Sequence, residues 1–270
     1  MATKNPNGKA ILHASLVLFR QDRQMIWLPV MATVTALIAF GIITGPLVLA
    51  LGHTGYALIL AIACGSVVAT AATVIFNVAL VFAANDRIEG RTPTIASSMA
   101  QAWGRRGVIF EWALLSAVVG TAIRLLEERL GLVGRILGFA GGLAWIVATY
   151  LVIPVLAFED LGPIDAVKRS SSILKARFGT VTRSGLRFGA IFAGLSIAAL
   201  LVLMLGVVLI VGRTYVVGVP VAIAGFAALI GISMYAQAAG MYMRTILYRF
   251  AMERPVPDLG IDIGGAFRSQ

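Results

Sequence analysis

The chain has 270 residues, of which 59% are hydrophobic and 13% are charged, and its formal net charge is +10. Soluble domains average about 45–50% apolar and about 25% charged residues, so the composition excludes an ordinary soluble domain as well as a disordered chain. The positive charge does not make nucleic acid the expected partner, because cationic loops of a membrane protein set its orientation and contact anionic lipid.

Six apolar stretches are long enough to be transmembrane helices, since a helical span needs about 20 mostly apolar residues. In chain order they are residues 26–51, 56–84, 108–126, 137–158, 188–211 and 216–244. The third is the least apolar, because Glu111 lies at its start and Arg124 at its end. The predicted fold class is therefore an all-α membrane protein that forms one polytopic domain over residues 1–270.

The distribution of Lys and Arg between the linkers predicts the orientation. Of the 22 basic residues, 18 lie before the first span, after the last span, or in the linkers that follow the second and fourth spans. Because Lys and Arg accumulate on the cytoplasmic side of bacterial inner-membrane proteins, both termini are predicted to be cytoplasmic. The expected location is a bacterial plasma membrane.

An amphipathic segment precedes each pair of predicted spans. Each segment carries an apolar stripe with a serine and, near its end, an aromatic residue: Phe19, Trp103 or Phe178. This pattern predicts three hairpins, each preceded by a cytoplasmic amphipathic helix, as a threefold internal repeat. The predicted repeat units are 9–86, 93–160 and 163–254, followed by a flexible tail at 255–270. The alternative is that apolar sequences resemble one another by composition alone.

The third amphipathic segment offers a lipid-binding surface. Its apolar stripe consists of Ile164, Val167, Ser171, Leu174 and Phe178, at helical spacing. The cations on its sides and opposite face are Lys168, Arg169, Lys175 and Arg177. We expect this helix to lie along the inner membrane surface, with the four cations binding anionic phospholipid headgroups. In the alternative interpretation the stripe packs on neighbouring protein and the cations are only solvated.

The fourth span ends in a motif that begins Val155-Leu-Ala-Phe-Glu-Asp-Leu-Gly-Pro-Ile-Asp-Ala-Val-Lys-Arg-Ser170 and continues to Phe178-Gly179. It resembles the span-exit motif of uncharacterised bacterial six-helix membrane proteins and of the membrane domain of some glycerophosphodiester phosphodiesterases. The matching positions are Glu159, Gly162, Pro163, Ala166, Lys168, Arg169, Ser170 and Phe178. The resemblance implies a fold and a location. It implies no activity, because the phosphodiesterase chemistry of those proteins belongs to a separate soluble domain.

Three polar residues inside predicted spans are candidates for function. Ionisable groups within a bilayer are costly, so Glu111 is a candidate, although an interfacial ion pair with Arg106 is the favoured interpretation. Asn77 and Gln237 could line a path for a small molecule, but such groups more often hydrogen-bond across helices.

No catalytic, metal or cofactor set is predicted. Glu159 and Asp160 are adjacent, so their side chains diverge, and either could cap the helix that starts at Pro163 or bind Arg169. His13 and His53 lie on opposite sides of the membrane in the predicted topology, so they cannot share a metal ion.

These patterns favour a non-enzymatic multi-pass membrane protein, a scaffold or accessory subunit in contact with inner-leaflet lipid. Its expected partners are anionic phospholipids and either another membrane protein complex or a second copy of itself. The alternative is a transporter or channel for a small or lipid-like solute. An intramembrane enzyme is the least favoured class.

Overall fold

The computed structural model describes residues 16–52, 55–129 and 131–252. Within these ranges every regular element is a helix. The predictions for His13, His53 and the tail 255–270 lie outside the described residues. The predictions for the side chains of Arg177 and Phe178 also lie outside the described part of the chain.

The helices follow one another with short connections. After a 3₁₀ turn at Arg23–Ile26 they are α1 (Trp27–Leu51), α2 (Gly55–Ile88), α3 (Ile95–Trp103), α4 (Arg106–Arg129), α5 (Gly131–Ala148), α6 (Val152–Phe158), α7 (Pro163–Val211) and α8 (Tyr215–Ala251).

Six helical segments in the described part of the chain are long and apolar enough to cross a membrane, as predicted. They are Arg23–Leu51, Gly55–Ile88, Arg106–Arg124, Val133–Phe158, Phe188–Val211 and Tyr215–Ala251. Helices α2 and α8 have 34 and 37 residues. At 1.5 Å per residue they are about 50 and 55 Å long, well beyond the roughly 30 Å of a hydrocarbon core.

Helices that follow one another in the chain pack along each other: α1 with α2, α4 with α5, and α7 with α8. Glycines allow the close approach of α7 and α8. A methyl group on Gly225 would collide with the backbone of Leu203, and one on Gly218 would lie 2.8 Å from the backbone nitrogen of Ile210. Small residues at such crossings let two backbones come into contact.

The helix pairs join at one end of the molecule, which we call the packed end. It contains residues 66–88 of α2, residues 234–252 of α8, and α6, and no residue of these segments is exposed. Away from this end the large apolar side chains are largely exposed, among them Leu37 of α1 and Ile59 of α2. The core is therefore concentrated where charged residues border the spans.

Helix α7 differs from its prediction. Residues 164–178 do not form a separate interfacial helix, because α7 runs without a break from Pro163 to Val211, about 74 Å. Its buried face is also rotated from the predicted stripe. The side chains of Ala166, Ser170, Ile173 and Leu174 are buried, whereas Ile164 is 60% exposed.

The physical reason for this rotation is a hydrogen bond from the turn between α5 and α6. An irregular turn separates α5 from α6, and the Leu151 N–H donates to the Ser170 hydroxyl oxygen at 3.1 Å. Because that hydroxyl supplies an acceptor for a buried backbone group, Ser170 faces inward. The first part of α7 therefore packs on protein.

Helix α3 agrees better with its predicted stripe. The Thr94 hydroxyl accepts a hydrogen bond from the Ser97 N–H at 3.1 Å and caps the helix. Ser98, the serine of this stripe, is buried, and so is Ala102. Trp103, which we assigned to the stripe, is 56% exposed.

Candidate functional site: an ion-pair cluster at the packed end

A tight turn at the end of α2 creates the first part of the cluster. Gly90 has φ = +78°, a left-handed conformation that ends the helix and reverses the chain. The Arg91 N–H then donates to the Asp86 carbonyl oxygen at 2.8 Å, and its side-chain Nε donates to the Asp86 carboxylate at 3.1 Å. The turn thus returns Arg91 to a carboxylate that is itself nearly buried.

Asp22 is the most deeply buried carboxylate of the cluster, with 2% of its surface exposed. The Arg87 Nε donates to both of its oxygens, at 2.9 and 3.0 Å. The hydroxyl of Tyr242 donates to the second oxygen at 3.0 Å. A buried charge is tolerated only when it is paired and hydrogen-bonded, so Asp22 ties the segment before α1 to both α2 and α8.

Glu89 connects α2 to the end of α8. The Arg249 guanidinium donates to a Glu89 carboxylate oxygen at 2.8 Å and also to the Asn85 side-chain oxygen. This hydrogen bond, with further help from Arg91 and against the opposing effect of burial, holds the pKa of Glu89 below its ordinary value. Glu89 therefore stays ionised at neutral pH.

Glu159 completes the cluster on the side of α6 and α7. The Arg169 Nε donates to its two oxygens at 3.2 and 3.1 Å, and the Tyr248 hydroxyl donates at 2.8 Å. This confirms the prediction that an acid of the Glu159-Asp160 pair binds Arg169. Asp160 instead accepts a hydrogen bond from Arg105 at 3.0 Å.

Three of the four predicted headgroup-binding cations have described side chains, and their environments differ. Arg169 is engaged by Glu159, and Lys168 donates to the exposed carboxylate of Asp165 at 2.9 Å. Lys175 is exposed and lines a cleft between α5 and α7. Lys175 therefore differs from Lys168 and Arg169, which have carboxylate partners.

Two of the three predicted intramembrane polar residues pair with each other, and the third lies apart from them. The Gln237 side-chain amide donates to the Asn77 side-chain oxygen at 2.9 Å, which makes them a cross-helix pair between α8 and α2. Glu111 is exposed on α4 and, among the described residues, forms no ion pair. Its expected partner Arg106 donates instead to the Trp103 carbonyl oxygen at 3.3 Å, so the predicted pair is wrong.

Sequence reasoning did not bring together in one site the five residues Asp22, Asp86, Tyr242, Tyr248 and Arg249. One signal was available for the two acids, because both border apolar runs in otherwise basic segments. The tyrosines carried no such signal, since each lies within a long apolar stretch. Within the described ranges, no group of three or more His, Cys, Asp or Glu residues could hold a metal ion.

Comparison with curated proteins and with solved structures gives no match. A family model does match, over residues 57–255, which include all helices from α3 to α8 and almost all of α2. The matched region contains every member of the ion-pair cluster except Asp22. Because the match covers well over half of the chain, the protein belongs to DUF6159, a family of unknown function.

Proposed function

We propose that this protein is a non-enzymatic multi-pass membrane protein that acts as a scaffold or accessory subunit in a bacterial plasma membrane. The observation that carries the proposal is the use of the charged residues at the packed end. Asp22, Asp86, Glu89 and Glu159 each have an arginine partner from the same end of the molecule. Three of these pairs join different segments of the chain, the Asp86 pair closes the turn after α2, and all four carboxylates are thereby committed to structure.

The proposed orientation places the packed end in the cytoplasm. Two observations support it. The basic residues are concentrated in the segments that border this end, and the large exposed apolar side chains lie away from it. A bilayer would cover those apolar side chains and leave the ion-pair cluster at its cytoplasmic surface. Both termini would then be cytoplasmic.

We further propose that the three helix pairs are copies of one unit. Ser98 of α3 and Ser170 of α7 are both fully buried, and both precede a membrane-spanning segment. The first and second units also end alike, because Asp86 and Glu159 each bind an arginine of the following segment. The second and third units differ at one joint, where residues 104–105 interrupt the helix before α4 and α7 has no such interruption.

A transporter or channel for a lipid-like solute is the second candidate function. The observation that favours it is a mainly apolar cleft of about 340 Å³ lined by Tyr235 of α8 and by residues of α7. The Asn77–Gln237 hydrogen bond weighs against a polar path between α2 and α8, because it joins the two helices directly.

Purification of the tagged chain from its native membrane in a mild detergent tests the scaffold proposal. We expect one membrane protein, or a second copy of the chain, to co-purify at a fixed molar ratio. Asp22→Ala should loosen the packed end and lower that ratio. The control is Asp160→Ala, which removes an exposed carboxylate and should leave the ratio unchanged. A chain that purifies without a partner and moves labelled phospholipid between the leaflets of proteoliposomes would support the transporter instead.

A further inference from the structure

Two clefts lie where the exposed apolar surface of the membrane helices ends. On α8 the last exposed large apolar side chain is Ile230, and on the α5–α6 segment it is Val147. Beyond these positions both segments enter the packed end. In a bilayer this boundary is the level at which hydrocarbon gives way to headgroups.

The first cleft, which we call the Lys175 cleft, has a volume of about 520 Å³ and lies between α5 and α7. Ala140, Ala144 and Ala148 line it at four-residue spacing on one face of α5. Because alanine side chains are short, they leave a groove between the helices. Leu174 and Lys175 of α7 form the opposite wall.

The second cleft, which we call the Arg20 cleft, has a volume of about 340 Å³. Its walls are Ile191 and Phe192 of α7 together with Ile232 and Tyr235 of α8. The segment before α1 contributes Leu16 and Arg20. Both clefts thus combine an apolar lining from membrane-spanning helices with one cation from a segment that precedes a span.

The two cations are available for a ligand. Lys175 and Arg20 are exposed, and neither has a carboxylate partner within the described ranges. Lys168, in contrast, is paired with Asp165. A long cationic side chain can keep its stem against an apolar wall while its charged group reaches the headgroup level. The cations are therefore complementary to a ligand with an acyl chain and an anionic head.

We propose that each cleft binds one anionic phospholipid of the leaflet at the packed end. An acyl chain occupies the apolar groove, and the phosphate pairs with Lys175 in one cleft and with Arg20 in the other. Both volumes fall within the roughly 300–1,000 Å³ typical of ligand pockets. This inference rests on the proposed membrane orientation and assigns the lipid contact expected from the sequence to two defined sites.

The test uses the full chain in nanodiscs of phosphatidylcholine that contain a small fraction of spin-labelled phosphatidylglycerol. We expect the wild-type chain to immobilise the anionic lipid. Lys175→Gln and Arg20→Gln should each weaken binding at one site by about fivefold, the contribution expected of one cation near an anionic bilayer. Ala144→Phe should fill the Lys175 cleft and abolish binding there while the charge remains.

Matched controls distinguish a site from general attraction. Lys168→Gln removes a cation that is already paired and does not line the cleft, so it should leave binding unchanged. Equal losses of lipid binding in Lys175→Gln and Lys168→Gln would overturn the site. So would immobilisation of spin-labelled phosphatidylcholine to the same extent as spin-labelled phosphatidylglycerol. If the wild-type chain immobilised no anionic lipid at all, the expected lipid contact itself would be refuted. If the wild-type chain did immobilise anionic lipid but no cleft variant changed the binding, only the assignment to the two clefts would be refuted.

Discussion

The hydroxyl of Tyr242 donates a hydrogen bond to the carboxylate of Asp22, 3.0 Å away, and so joins the last helix to the segment that precedes the first. The same carboxylate is held by Arg87 at the end of α2. Three segments that are far apart in the chain therefore meet at one buried charge. Contacts of this kind connect different helix pairs at the packed end.

Asp22→Ala should strongly destabilise the protein. It leaves the Arg87 guanidinium without its buried partner, and breaking such a pair costs about 3–5 kcal/mol. Unfolding by SDS titration in bicelles measures the loss. Asp160→Ala is the matched control, because the Asp160 carboxylate is solvent-exposed although it also binds an arginine. Similar losses in the two variants would contradict the central role of Asp22.

Glu89 should make the stability depend on pH in the acidic range. Because the Arg249 hydrogen bond lowers its pKa in the folded state, its contribution is complete above the unfolded pKa of about 4.3. The contribution is lost as the pH falls through the lower folded-state pKa. Glu89→Gln should therefore lose less stability than the wild type between about pH 6 and pH 3. Parallel pH profiles for the two proteins would refute this assignment.

Asn77 and Gln237 should show energetic coupling. A hydrogen bond between membrane helices contributes about 0.6–2 kcal/mol, so Asn77→Ala and Gln237→Ala should each destabilise the α2–α8 contact. The loss of stability in the double variant should be smaller than the sum of the losses in the two single variants, because the second substitution no longer breaks a hydrogen bond. Additive losses in this double-mutant cycle would mean that the two side chains act independently.

Gly225→Ala should separate α7 from α8 and destabilise the pair by about 1–3 kcal/mol, the range for overpacking a well-packed contact. The added methyl group would collide with the Leu203 backbone, which cannot move as a side chain can. Gly231→Ala in the same helix is the control, since no neighbouring atom lies within 4 Å of the position that its methyl carbon would take. It should be neutral or slightly stabilising, because alanine favours helix over glycine.

The proposed topology can be tested by cysteine labelling of intact cells in a Cys64→Ser background. Arg213→Cys lies in the turn between α7 and α8, and Asp160→Cys lies at the packed end. A membrane-impermeant maleimide should label Arg213→Cys in intact cells and Asp160→Cys only after permeabilisation. The reverse pattern would require the packed end to face outward.

The spans could be predicted from the sequence because the bilayer imposes a simple requirement. A helix must present about 20 apolar residues to cross it, and this length is visible in one dimension. The six segments of the structure accordingly match the predicted ones. The Glu159–Arg169 ion pair was also predictable, since the two residues lie ten positions apart across a short turn.

The interfacial helix at 164–178 could not be predicted correctly from its own periodicity. Its buried face depends on the Leu151 N–H, a backbone group in the turn between α5 and α6 that needs an acceptor. Likewise, the expected Glu111–Arg106 pair does not form, and Arg106 donates to the carbonyl oxygen of Trp103. Local spacing does not show which partner is available in three dimensions.

The sequence alone therefore determined the class of the protein, the number of its spans and the end at which its cations concentrate, because hydrophobic length and charge are properties of short segments. Tertiary structure alone decided which acids became buried and which cations have carboxylate partners. Asp22 and Tyr242 are separated by most of the chain, and only the packing of α8 against the segment before α1 brings them together. Lys168 and Lys175 look alike in sequence, but Lys168 pairs with Asp165, whereas Lys175 lines the cleft between α5 and α7 because the path of α7 past α5 places it there.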